Sequence, residues 1–136
     1  MEEIKAEETT QVGLEFWNDV KWDLVENNKI TKDIFIKLRN KHKKAFATFL
    51  GAQDHLSFYM FRPLSWPEFK EIRTSTMDKY EVHDYIVKNC LLWPIVNDGN
   101  IQTLEAGTAL TLVYQVLAQS SFLKDPSQAL KMVIEI

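Results

Sequence analysis

Residues 58–72 read Phe58-Tyr59-Met60-Phe61-Arg62-Pro63-Leu64-Ser65-Trp66-Pro67-Glu68-Phe69-Lys70-Glu71-Ile72. The first half is crowded with aromatic side chains, the composition of a strand. The second half carries a helix start. Ser65 is placed to cap, and Glu68, three residues on, can reach back to the Ser65 amide, which is a capping box. Leu64 before the cap and Phe69 after the first turn are spaced as a hydrophobic staple. Pro67 falls in the first turn, where its missing N–H is harmless. A strand therefore runs into a helix with only residues 62–64 between them.

Upstream, Ala45-Phe46-Ala47-Thr48-Phe49-Leu50 alternates with a period near two, and Gly51-Ala52-Gln53-Asp54 is a turn. With His55–Phe61 as the returning strand, residues 45–61 form a β-hairpin that feeds into the helix capped by Ser65. Downstream, Thr74-Ser75-Thr76 interrupts that helix, because short hydroxyl side chains compete for the backbone. Asp78 caps the next helix, whose apolar side is Val82, Tyr85, Ile86, Asn89, Cys90 and Trp93, stopped by Pro94. Asn97-Asp98-Gly99-Asn100 is a loop tip. Thr103 caps a long helix with Ala109, Leu112, Val113, Val116 and Leu117 as its buried stripe, fraying at Ser120-Ser121. Asp125-Pro126-Ser127-Gln128 restarts a helix whose apolar side is Leu130, Val133 and Ile134. A helix this short must dock, either on the body or on a partner.

On the N-terminal side, residues 1–11 are acidic and polar and read as a flexible tail. Phe16, Trp17, Val20 and Leu24 then fall at helical spacing, although Val12, Leu14 and Phe16 also alternate as in a strand. Trp17 and Trp22 pack either into the protein's own core or against a partner. Asn27-Asn28-Lys29 is a turn, and Thr31 caps a helix bearing Ile34 and Leu38. The dense basic run Lys37, Arg39, Lys41, Lys43, Lys44, with His42 inside it, is a solvated face or a phosphate-binding one.

These elements predict an α+β fold, mostly helical, with a small hairpin over about residues 45–61 packed on three to five helices. They form one globular unit over 12–123, between the acidic tail 1–11 and a C-terminal docking helix 124–136. A net charge of −3 gives no general attraction to nucleic acid or to an anionic membrane. Residues 1–5 lack the apolar core of a signal peptide, and no run approaches the roughly 18 apolar residues of a membrane span.

The search for chemistry yields no reaction. His42, His55 and His83 are far apart and Cys90 is alone, so no metal-ligand spacing exists. His83 and Cys90 share a helix about 10 Å apart, too far for a nucleophile–base pair. The pairs Glu68/Glu71 and Asp78/Glu81 lie at helix N-termini, where capping explains them. No phosphate loop or nucleophile elbow occurs. The residues point to a non-enzymatic domain without a cofactor. Arg62 has two readings: a structural arginine bonded to helix-end carbonyls or to a carboxylate of the following helix, or an exposed partner anchor together with Trp66.

The run from Phe58 to Phe69 resembles the small tail-assembly proteins of tailed bacteriophages, namely tail assembly chaperones and the baseplate hub assembly proteins of contractile-tailed phages. Members carry an aromatic strand ending in Arg-Pro, a polar cap, and an aromatic or acidic helix start. Cys90-Leu91-Leu92-Trp93-Pro94 resembles the family's helix end, and Val96-Asn97-Asp98-Gly99 stands at its variable connection. Leu104-Glu105-Ala106-Gly107, Leu110, Leu112 and Ser120-Ser121-Phe122 resemble its final helix. The likeness covers roughly residues 44 to 123. Trp66-Pro67 departs from the small or basic residues that follow the family's cap, and the segment with Trp17 and Trp22 has no counterpart there.

The resemblance implies an assembly factor that binds another phage tail protein, the tape measure or a baseplate hub component, in the host cytoplasm during morphogenesis. The alternative is a structural tail or baseplate subunit kept in the virion. A second alternative is a nucleic-acid-binding regulator using residues 37–44. The contacts expected for a partner are Arg62, Trp66, Trp17, Trp22, Leu130, Val133 and Ile134, with self-association also open.

Overall fold

The hairpin forms because its two strands alternate in phase. A computed structural model describes residues 14–27, 30–52, 55–120 and 133–136. Strand β2 (Phe46–Ala52) pairs antiparallel with β3 (His55–Phe61), in register from Phe46 opposite Phe61 to Ala52 opposite His55. Gly51 adopts φ 135° within β2, a conformation that side chains with a Cβ rarely take. Its place beside the turn therefore suits glycine.

The structure is an α+β fold, and its sheet is larger than a hairpin. Three short strands complete five. Strand β1 (Val25–Asn27) pairs parallel with β3 at Leu56 and Ser57. Strand β4 (Leu91–Trp93) pairs antiparallel with β3 at Met60 and Phe61, so both occupy the same edge of β3 at different heights. Strand β5 (Val133–Glu135) pairs antiparallel with β2 from Phe46 to Thr48. Ile136 N–H then donates to the Ala45 carbonyl.

Two of these strands correct the sequence reading. The helix capped by Asp78 ends at Cys90, not at Trp93. Proline already biases Trp93 toward extended backbone, and Leu91–Trp93 satisfies polar groups on β3 that would otherwise be buried unpaired. The C-terminal docking helix 124–136 is likewise corrected where the structure describes it. Val133 and Ile134 lie in a strand, because a β-branched pair on an open sheet edge gains ladder hydrogen bonds that an isolated short helix lacks. Leu130 lies outside the described residues, as does the acidic tail 1–11.

Alternation along β2 and β3 sends apolar side chains to both faces, and each face is covered. One face carries Phe46, Tyr59 and Phe61 with Leu91 of β4. Against it pack Ile86, Val87 and Cys90 of one helix and Leu112, Val113 and Val116 of another. The opposite face carries Ala45, Ala47, Phe58 and Met60, covered by Phe35 together with Phe16, Trp17 and Trp22. The sheet is thus the middle of three layers.

The helices obey their caps. Residues 14–19 form α1, and Lys32–Lys41 form α2, with the Thr31 hydroxyl accepting from the Ile34 amide. Helix α3 (Trp66–Thr74) begins at the full capping box expected of Ser65 and Glu68. It stops where the Thr74 and Ser75 hydroxyls donate to the carbonyls of Lys70 and Ile72. Helix α4 (Lys79–Cys90) is capped by Asp78. Helix α5 (Ala106–Gln119) starts two residues later than the Thr103 cap implies, with Glu105 at the N-cap. The Thr103 hydroxyl instead donates to the Asn100 carbonyl at 2.6 Å, inside a 3-10 turn over Ile101–Thr103.

Candidate functional site

The junction between β3 and α3 is closed on itself. The Arg62 guanidinium meets Glu68 through two parallel hydrogen bonds, Nη1–Oε1 and Nη2–Oε2, each 2.8 Å. Glu68 Oε1 also accepts from the Ser65 amide at 2.9 Å, so one carboxylate serves both the capping box and the arginine. The Arg62 amide donates to the Cys90 carbonyl, which ties the junction to the end of α4. The Leu64 amide donates to the Ser120 hydroxyl at 2.8 Å, which ties it to the end of α5. The arginine beside it holds the Glu68 carboxyl down at about 2, against the cost of its burial, and the Ser65 bonds add to the effect. Arg62 is therefore bonded to a carboxylate of the following helix, the structural one of its two sequence readings.

Cys90 is fully buried, and burial pushes its thiol up to about 12. A thiol held protonated inside the core is a poor nucleophile. No group of three or more His, Cys, Asp or Glu side chains among the described residues could hold a metal ion. No helix among them is long and apolar enough to cross a membrane.

Trp17 and Trp22 face the protein's own sheet. Their ring centres lie 4.3 Å apart, with Trp17 5.4 Å from Phe35 and Trp22 5.2 Å from Phe58. Trp22 Nε1 donates to the Trp17 carbonyl at 3.0 Å. These contacts match the core reading of the pair. Trp66 is different. It is 65% exposed, stacks on Phe69 at 5.6 Å and carries the Lys70 ammonium 5.7 Å from its ring centre. Val133 and Ile134 spend their backbones in β5.

The surface that sequence reasoning missed is the outer face of α5. The fourteen residues of that helix include no Asp, Glu, Lys or Arg, in a chain that is 26% charged. Its inner side, Leu112, Val113 and Val116, is buried as expected. Its outer side presents Gly107, Leu110, Thr111 and Tyr114, which follow one another at i, i+3, i+4 and i+7. Leu110 is 40% and Tyr114 44% exposed. A Cβ added at Gly107 would meet nothing within 4 Å, so the glycine is not required by the chain's own packing. The Thr111 hydroxyl donates back to the Gly107 carbonyl at 2.7 Å, which removes its polarity from the face. An uncharged amphipathic helix of this kind can receive another helix; the missing charges were the signal in the sequence that could have found it.

Comparison with known protein families, with curated proteins and with solved structures gave no match in any of the three.

Proposed function

We propose that this chain is a non-enzymatic assembly factor of a tailed bacteriophage, of the tail assembly chaperone or baseplate hub assembly kind. It binds another tail protein, the tape measure or a hub component, in the host cytoplasm during morphogenesis. The observation that carries the binding reading is the charge-free outer face of α5, where Leu110 and Tyr114 stand exposed. The phage assignment rests on the resemblance of residues 44 to 123.

The physical task of such a factor is to cover an apolar helix that would otherwise aggregate. A partner helix laid along α5 buries Leu110 and Tyr114 as anchors, and Gly107 and Thr111 permit close backbone approach. The absence of charge means that docking leaves no ion unpaired in the interface. Trp66 is a further exposed anchor, at the start of α3, whose lead-in residue Leu64 is bonded to Ser120 at the end of α5.

The test is co-purification of the chain with the tape-measure protein of the same phage. The Leu110→Asp/Tyr114→Asp variant is expected to lose the partner while remaining folded. Retention of the partner by this variant rejects α5 as the contact. Mass spectrometry of purified particles then separates a transient factor, absent from them, from a subunit kept in the virion.

A further inference from the structure

The layer opposite α5 carries a second feature, unconnected with the assembly reading. Where α2 ends, Arg39, Asn40, Lys41, His42 and Lys43 line a crevice of about 230 Å³. From its shape and lining, we infer that this crevice is a site for a compact, multiply charged phosphate, a free polyphosphate or the phosphates of a nucleotide.

The crevice is shaped by one arginine. Helix α2 ends at Lys41, and His42 turns to extended backbone at φ −117° and ψ 138°. Arg39 reaches back across this bend. Its Nη1 donates to the His42 carbonyl at 3.3 Å, and its Nε donates to the Ile136 backbone oxygen at the end of β5. Arg39 is thus spent on holding the wall. Lys41 and Lys43 are exposed and form no ion pair with a described residue. They are the cations left for a ligand.

The lining contains no acidic residue, and the run 37–44 holds five of the sixteen basic residues of the chain. The carbonyl end of α2 opposes an anion, so the sign of the local field has to be decided. The full positive charges of Lys41 and Lys43 outweigh the partial charge of about −0.5 at the helix end. The basicity of His42 is lowered by burial first, then by Arg62 and Lys41. No Phe, Tyr or Trp lines the crevice. A base would find only the single His42 ring to stack on, and an extended nucleic acid strand would find only one short patch of charge. Compact phosphate charge fits both limits.

The experiment is a titration of the isotope-labelled full chain with sodium tripolyphosphate at low salt, followed by amide shifts. Saturable shifts are expected at residues 40–43, and they should weaken steeply at roughly 0.3 M salt. The Lys41→Gln/Lys43→Gln variant, which removes only exposed charges, should bind about tenfold more weakly, about threefold for each lysine. ATP should bind no more tightly than tripolyphosphate. Absence of saturable shifts, or equal binding by the variant, overturns the site. Tighter binding of a twelve-nucleotide oligothymidylate than of tripolyphosphate overturns the compact ligand in favour of a nucleic acid backbone.

Discussion

The β3–α3 junction and the outer face of α5 lie on the same side of the sheet and treat their surfaces in opposite ways. At the junction, Arg62, Ser65, Glu68 and Leu64 each have a named partner within the chain. On α5, Leu110 and Tyr114 remain exposed on a helix with no charge to solvate them. Strong local signals in a sequence mark places where the chain meets its own needs. A surface available to a partner is marked by what it leaves unmet, here apolar side chains only partly covered among the described residues. The difference sets residues 58–72 apart as scaffold and leaves α5 as the face proposed for contact.

The comparison breaks first if the junction is dispensable. Glu68→Ala removes both the arginine pair and half of the capping box, and the loss expected is about 2–3 kcal/mol of stability, read by denaturant unfolding. A loss under about 0.5 kcal/mol, the usual range for surface changes, would place Glu68 outside the scaffold.

The same carboxylate gives the next largest effect, as a pH dependence. Its pKa is lower in the folded chain, at about 2, than the ordinary value of 4.5. The stability it contributes is therefore present above pH 4.5 and is lost as pH falls from there through about 2. With allowance for solvent screening the contribution is about 2 kcal/mol. Glu68→Gln should flatten the stability curve across that window. An unchanged acid limb would show that Arg62 does not act on Glu68 in solution.

Beneath α5, the side that faces the sheet is not wholly apolar. Gln115 is buried and its Nε2 donates to the Thr48 hydroxyl at 3.2 Å, while its Oε1 has no partner among the described residues. An unmet buried acceptor is destabilising, and removing both polar groups together avoids leaving either one unpaired. Gln115→Leu with Thr48→Val should raise stability by about 1 kcal/mol, whereas Thr48→Val alone should lower it. Smaller still is Gly107→Ala, expected to stabilise α5 by about 0.5 kcal/mol because the added methyl meets open space. On the assembly reading the same methyl weakens partner binding, so the two readouts move in opposite directions.

Much of the fold was legible because it is specified locally. The hairpin alternates in sequence, and the caps at Thr31, Ser65 and Asp78 each bond within a few residues. The three flanking strands were not legible. Each is three residues long, and its pairing partner lies far along the chain. Leu91–Trp93 continues the helical spacing of α4, and Val133 and Ile134 also fit a helical stripe, so periodicity favours helix in both places. Only the open edges of β3 and β2 favour strand, and those edges exist only once the hairpin has formed. Arg62 could be read either way because its partner, Glu68, was already accounted for by the cap. The exposed face of α5 was missed for a related reason. The buried stripe of α5 was sought by apolar spacing, and Leu110 and Tyr114 lie off it.

The account stands most directly on one affinity measurement, made by calorimetry on the purified chain with the partner proposed above, a phage tape-measure protein. Wild type and Glu68→Gln should bind alike at neutral pH wherever both are folded. Leu110→Asp/Tyr114→Asp should stay folded, with a stability loss of about 1 kcal/mol for the two changes together, and lose binding by at least about a hundredfold, the scale of two interface anchors. Equal binding by the α5 variant, or a selective loss in Glu68→Gln, would contradict the division of the molecule into a self-satisfied junction and a contact helix.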